Sequence, residues 1–315
     1  MTEQTTILIQ PKRAVAAKIE SPRRRAIRRF LRHRLALVGL ATIAIIVVLA
    51  IIGSEQAAYQ QNLRMGWTNQ PPGTTFVVDD PDGTVSTVVF PLGTDALGRD
   101  VLARVLVGGR VSLLVALISV FVSTIIGVVV GVFSGYAGGK TDATMMRFVD
   151  VALSFPVILL LLVVSALVGP GLITLIVMIG VVTWAQGARI IRGQVLAMRG
   201  AAYIEAARVI GVSGFRMVRS HVLPNIVAPI VVLATFGVAT VVIFEAGLSY
   251  LGLGVQPPTP SWGNMVNAAK SITVLERYPW QWVPPALFIV AMVMAVNFVG
   301  DGLRDAFDMR ATSDR

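Results

Sequence analysis

The chain has 315 residues, 27 Lys+Arg against 17 Asp+Glu for a net charge of +10, and a composition that is 55% hydrophobic and only 14% charged. So few charges cannot cover a globular surface, and so much apolar surface demands burial, which excludes an ordinary soluble domain and a disordered chain alike. Having no cysteine excludes disulfides, a thiol nucleophile, Cys-ligated zinc and iron–sulfur clusters, and with only His33 and His221 an imidazole metal cage is not expected.

Residues 1–34 form a basic tail, expected to be helical from Pro22 and to act as an uncleaved anchor with the apolar run that follows. A membrane helix needs about 20 largely apolar residues to cross about 30 Å of hydrocarbon. Leu35 to Ile52 is a first such run and Val111 to Phe133 a second. Val151 to Ala188 is uncharged for 38 residues, about 57 Å of helix and too long for one crossing. Gly169-Pro170-Gly171 inside it reads as a hairpin, so it counts as two spans. Val222 to Phe244 and Tyr278 to Gly300 complete a set of six, and the expected fold is an all-α polytopic membrane protein.

Six spans put both termini on one side, with the loop at 136–148, the stretch 189–225 and the tail after Gly300. That side carries 21 Lys+Arg; the other carries Arg64, Arg99, Arg104, Arg110, Lys270 and Arg277. The positive-inside rule then makes both termini cytoplasmic. The run Arg23-Arg24-Arg25 with Arg28, Arg29, Arg32 and Arg34 reads as a topology determinant beside anionic lipid, and nucleic acid is not expected as a partner.

Residues 54–110 make the longest external segment, turn-rich from Pro71 to Gly83 and β-branched from Thr84 to Phe90, where a strand is expected. Asp95, Arg99, Asp100 and Arg104 are spaced for mutual pairing or for contact with a charged partner. A second external loop, from about Gly252 to Trp282, holds Pro257-Pro258-Thr259-Pro260. Trp67, Trp262, Trp280 and Trp282 are expected as interfacial anchors. Glu245 falls near the outer end of its span, a candidate gate or helix-packing contact. Pro156 and Pro229 are expected to kink their helices.

The cytoplasmic stretch 200–225 is the most informative. Tyr203, Ala206, Ala207 and Ile210 recur at helical spacing and read as one apolar face. Gly211 follows as a helix stop, Ser213 can cap a second short helix, and Pro224 is expected to end it at the entry to span five. Amphipathicity alone also fits a loop helix lying at the lipid headgroups.

The residues Glu205-Ala206-Ala207, Gly211, Leu223 and Pro224 resemble the EAA loop of ABC importer permeases, with His221 where the wider family has Ile. Gly93-Thr94-Asp95 with Gly98-Arg99-Asp100, Gly252-Leu253-Gly254-Val255-Gln256-Pro257-Pro258 with Ser261-Trp262-Gly263-Asn264, and Gly300-Asp301-Gly302-Leu303-Arg304-Asp305 are similar to the C-type subunit of the dipeptide/oligopeptide/nickel branch. The resemblance covers about residues 25–310 and implies a type I ABC importer transmembrane domain in the cytoplasmic (inner) membrane. It divides the chain into a tail (1–34), a first helix with the external segment (35–110), a five-helix core (111–304) with its coupling loop at 200–225, and a second tail (305–315). It also implies a homologous second permease subunit, two ATPase subunits docked on the coupling loop around Ala206 and Ala207, and an external substrate-binding protein; Asp95, Arg99, Asp100 and Trp262 are candidates either for external structure or for contact with that protein. The implied cargo is short peptides, with nickel or glutathione as alternatives. ATP and Mg would bind the partners: Gly138-Gly139-Lys140-Thr141 lacks the earlier glycine of a phosphate-cradling loop, Ser134 standing in its place, and no catalytic residue or cofactor is expected in this chain. A gradient-driven transporter would need ionisable groups at mid-membrane, and the six runs have almost none.

Overall fold

The computed structural model describes residues 22–53, 66–79 and 85–307. The expectations for residues 1–21, Arg64 and the last eight residues lie outside them. A basic helix α1 (Pro22–Phe30) leads to α2 (Arg34–Val48), which ends in a π-turn, Leu49–Gly53. Strands β1 (Thr74–Asp79) and β2 (Val85–Phe90) pair antiparallel, Thr74 opposite Phe90. Then follow α3 (Val101–Ala137), α4 (Gly139–Ser154), α5 (Val157–Val168), α6 (Leu172–Val182), α7 (Trp184–Arg199) and α8 (Ala202–Val209). The short α9 (Gly214–Met217) runs through a π-turn (Val218–Val222) into α10 (Leu223–Tyr250). Outside the bundle lie α11 (Trp262–Val266) and α12 (Ile272–Arg277), and α13 (Val283–Phe307) closes the described chain.

Five continuous stretches are long and apolar enough to cross a membrane, and the bent pair α4–α5 brings the number to six. The hairpin at Gly169–Gly171 forms as expected between α5 and α6. The third span differs from expectation. Its helix starts at Gly139, so 136–148 is helical apart from Gly138, and it bends by 82° where Phe155 and Pro156 interrupt it. Pro156 has no N–H to carry a helical ladder and biases the residue before it toward extended backbone; Phe155 has ψ 136°. Charged α4 could start so early because its carboxylates are paired. Arg192 binds Asp142 through two bonds of 2.6 Å, the Ser134 hydroxyl donates to the same carboxylate, and Arg189 pairs with Asp150.

The fifth span also begins earlier than its apolar run. Residues 214–250 are helical throughout, so Pro224, expected to end the short helix, instead lies within a continuous helix directly after the π-turn Val218–Val222. The turn-rich stretch after Pro71 contains β1, its Phe76 stacked 3.9 Å from the Trp67 ring.

The helix α3 is the axis of the fold. It packs along α7, α6 and α10, while α13 packs on α10 and α2. Gly127, Gly131 and Gly135 put a stripe without side chains against α7; a Cβ on Gly131 would lie 2.6 Å from the Ala188 carbonyl oxygen. With no hydrophobic force to join helices in lipid, such close backbone approach is what brings them together. Two chain crossings fix the ends of the bundle. Gly53 meets Leu106 near the start of α3, whereas Phe30 and Ala36 meet Gly302 near the end of α13. Gly135 near the end of α3 lies against Val195 near the end of α7. The described chain termini and the short helix α8 therefore share one end of the bundle.

Candidate coupling foot, outer plug and central cavity

The helix α8 and the turn after it form a foot at that end. A Schellman stop ends the helix: the Val212 N–H donates to the Ala207 carbonyl at 3.1 Å and the Gly211 N–H to Arg208 at 3.1 Å. Gly211 supplies the positive φ, +80°, that this stop requires. Ile204 and Ala207 are buried in a cluster with Val132, Ile191, Val195, Met217 and Ile226. The buried face is therefore not the Tyr203-Ala206-Ala207-Ile210 stripe that spacing suggested. Ala207 points into the chain's own core, while Glu205, Ala206 and Gly211 are exposed. Tyr203, Val209, Ile210 and Phe215 are exposed too, Val209 at 86% and Ile210 at 80%. Leu223 is half-buried and Pro224 exposed at the start of α10. The foot is thus anchored by one apolar pair and presents a separate bare apolar surface outward. Ser213 precedes α9 without a side-chain cap bond.

At the opposite end, the acidic and basic residues pair with one another. Asp95 accepts from the Leu97 and Arg99 N–H groups and from Arg99 Nε at 2.7 Å, with Arg104 Nε 3.8 Å away. Asp100 caps α3, accepting from the Leu102 and Ala103 N–H groups at 2.8 and 3.3 Å. Burial pushes its carboxyl above the usual range, and those two N–H groups pull it back. Thr94 ties the segment to the second external loop: its hydroxyl donates to the Trp67 carbonyl at 2.6 Å and its carbonyl accepts from Trp280 Nε1 at 3.1 Å.

Trp262 is not an interfacial anchor. It is buried, its ring against Phe288 and its Nε1 donating to the Val105 carbonyl at 3.0 Å. Below it, Glu245 is completely buried and accepts from the Ser112 and Ser249 hydroxyls at 2.9 and 2.8 Å. Each serine in turn accepts a loop N–H at 3.2 Å, from Trp262 and Val255 respectively. Glu245 is thus a helix-packing contact that, through the two serines, holds the loop at Val255 and Trp262 against the bundle. Half of this network is local, Ser249 lying one helical turn from Glu245 and Val255 six residues further on, but the Ser112 bonds to Glu245 and Trp262 span 133 and 150 positions and leave no local sequence signature.

Between the two ends lies a cavity of about 240 Å³ lined by α3, the α4–α5 bend, the α6–α7 junction and α10. Among the described residues, no group of three or more His, Asp or Glu side chains is placed to hold a metal ion.

Residues 127–313 match the family described as binding-protein-dependent transport system inner membrane component, and residues 21–72 match the N-terminal TM domain of oligopeptide transport permease C. A Brucella suis biovar 1 relative bearing a provisional peptide-permease name is 40% identical over 291 residues, 92% of each chain. The oligopeptide transport system permease protein OppC of Escherichia coli K12 is 38% identical over 89% of each chain. The dipeptide transport system permease protein DppC of Bacillus subtilis is 36% identical over 89% of this chain and 83% of its own. Among solved structures, the methionine ABC transporter MetNI in an inward-facing conformation matches in fold, with a TM-score of 0.54 and 24% identity over 65% of this chain and 96% of that one.

Proposed function

The chain belongs to the family of binding-protein-dependent transport system inner membrane components, and from that premise we propose that it is one permease subunit of an ATP-driven importer of short peptides. The peptide assignment rests on the relatives: OppC and DppC proteins align with it over nine tenths of its length. In this reading the described termini and α8 face the cytoplasm, in keeping with the basic residues concentrated there. A homologous second subunit completes the pore, and two ATPase subunits, which bind ATP and Mg, dock on the feet. A substrate-binding protein delivers cargo to the outer end. No covalent chemistry takes place in this chain.

The observation that carries the coupling role is the division of α8 into two faces. Ile204 and Ala207 fix it to the bundle, so a push on the exposed Ala206, Val209 and Ile210 moves α3, α7 and α10 with it. A rigid-body element of this kind transmits force without deforming. The reading is tested by reconstituting the permease pair with its ATPases and binding protein in liposomes and following a radiolabelled tripeptide. Uptake that needs both ATP and the binding protein supports it. Uptake driven by a proton or sodium gradient without an ATPase overturns it.

A further inference from the structure

The central cavity meets α3 and α10 near their midpoints, through Ser123 and Thr124 and through Gly237 and Thr240, and meets the α6–α7 span near its middle, at the start of α7, through Gln186 and Gly187. Its lining carries no ionisable side chain. Five of its residues nevertheless bring polar side chains into otherwise apolar helices: Ser123, Thr124, Thr183, Gln186 and Thr240. The Thr183 and Thr240 hydroxyls donate back to their own helices, to the Ile179 and Phe236 carbonyls at 2.8 and 3.2 Å. The Ser123 and Thr124 hydroxyls and the Gln186 amide make no hydrogen bond with any described residue. Polar groups left unpaired in hydrocarbon are costly. That three of them, from α3 and α7, line one cavity is accounted for if they face water or cargo. Beside them Gly187 leaves its surroundings open, with nothing within 4 Å of a Cβ built there.

On the reading that the cargo is a peptide, we propose that Gln186, with Ser123 and Thr124, forms a neutral transit site for the backbone amides of the peptide as it crosses. A carboxamide offers two donors and an acceptor, and a hydroxyl offers one donor and two lone-pair acceptors. Together they can replace the water lost by a peptide C=O and N–H. A transport path must hold its cargo well enough to admit it and weakly enough to release it. Neutral hydrogen bonds meet that requirement where a buried charge would trap one class of peptide and repel another. The site therefore passes acidic, neutral and basic side chains alike and leaves selection to the delivering protein.

The chain has no cysteine, so Gln186→Cys creates a single addressable thiol in this subunit. The full complex is reconstituted in liposomes with saturating loaded binding protein, and uptake of Ala-Asp-Ala, Ala-Ala-Ala and Ala-Lys-Ala is compared. A sulfonate-bearing methanethiosulfonate is expected to label the cysteine and to slow Ala-Asp-Ala at least about tenfold more than Ala-Lys-Ala, by like-charge repulsion in a site of low dielectric. A trimethylammonium-bearing reagent is expected to reverse that order. The wild-type complex, treated identically, sets the baseline for thiols on the other subunits. No labelling at position 186, or equal slowing of all three peptides by both reagents, overturns the proposal. If the wild-type complex imports none of the three, it is the peptide reading that fails, and the transit site falls with it.

Discussion

The Ser112 hydroxyl on α3 donates to the Glu245 carboxylate on α10 at 2.9 Å, across 133 positions of chain. Through it and Ser249, a single buried side chain in the bundle holds the backbone of the outer loop at Trp262 and Val255. Glu245→Leu removes the acceptor of both hydroxyls, at about 1–3 kcal/mol for each buried group left unpaired. The variant is expected to melt earlier in detergent, followed by tryptophan fluorescence, and to become protease-sensitive between residues 252 and 264. Glu245→Gln keeps an acceptor oxygen and is expected to lie between the two. A Leu variant as stable and protease-resistant as the parent would contradict this hold on the loop.

The stripe Gly127, Gly131 and Gly135 sets the distance between α3 and α7. Gly131→Leu is expected to cost about 1–3 kcal/mol, the usual range for overpacking a tight interior. Gly187→Ala, on the open face of α7, is expected to leave the melting temperature unchanged. Thermal scans of the two variants side by side check the contrast.

Arg192 holds Asp142 by two bonds of 2.6 Å, joining α7 to α4 below the bend at Pro156. Asp142→Ala strands the guanidinium, which is 30% exposed and so partly relieved by solvent. A loss of about 1–3 kcal/mol is expected, below the range for a fully buried pair. A double-mutant cycle with Arg192→Ala should return a favourable coupling, and additive losses would show the pair to be inert.

Asp95 collects three hydrogen bonds that fold the segment before α3. Asp95→Ala is expected to leave membrane insertion intact and to speed external proteolysis between residues 66 and 100. Unchanged proteolysis would show that the segment is held by Thr94 and Trp280 alone.

Much of the bundle is legible in the sequence because the bilayer sets one length for every span and the runs from Leu35, Val222 and Tyr278 meet it. The hairpin at Gly169-Pro170-Gly171 is legible for the same reason. The early start of α4 is hidden because Asp142 reads as a loop charge and Asp150 as a charge at the membrane edge until Arg192, 50 positions on, and Arg189, 39 positions on, pair with them. The two-faced nature of α8 is hidden as well. Tyr203, Ala206, Ala207 and Ile210 have the right period, yet tertiary packing selects Ile204 with Ala207. The Gly127-Gly131-Gly135 repeat, at helical spacing, is a signal for close helix packing that span counting by hydropathy passes over. Glu245 stands out in the sequence as a lone carboxylate in an apolar run, but its partner Ser112 and the Val105 partner of Trp262 come from segments more than a hundred positions away and are not legible there. The neutral cavity lining is visible only once four spans, α3, α4–α5, α6–α7 and α10, converge.

The most direct test of the coupling foot is co-purification of the ATPase subunits with permease carrying Ala206→Asp. Ala206 is exposed, so the substitution is expected to leave insertion and melting temperature unchanged while the ATPase is lost from the complex. Ala207→Asp, which buries a charge against Val132 and Ile191, is expected to destabilise the permease itself. Retention of a full complement of ATPase by Ala206→Asp, with hydrolysis still coupled to peptide uptake, would contradict the account.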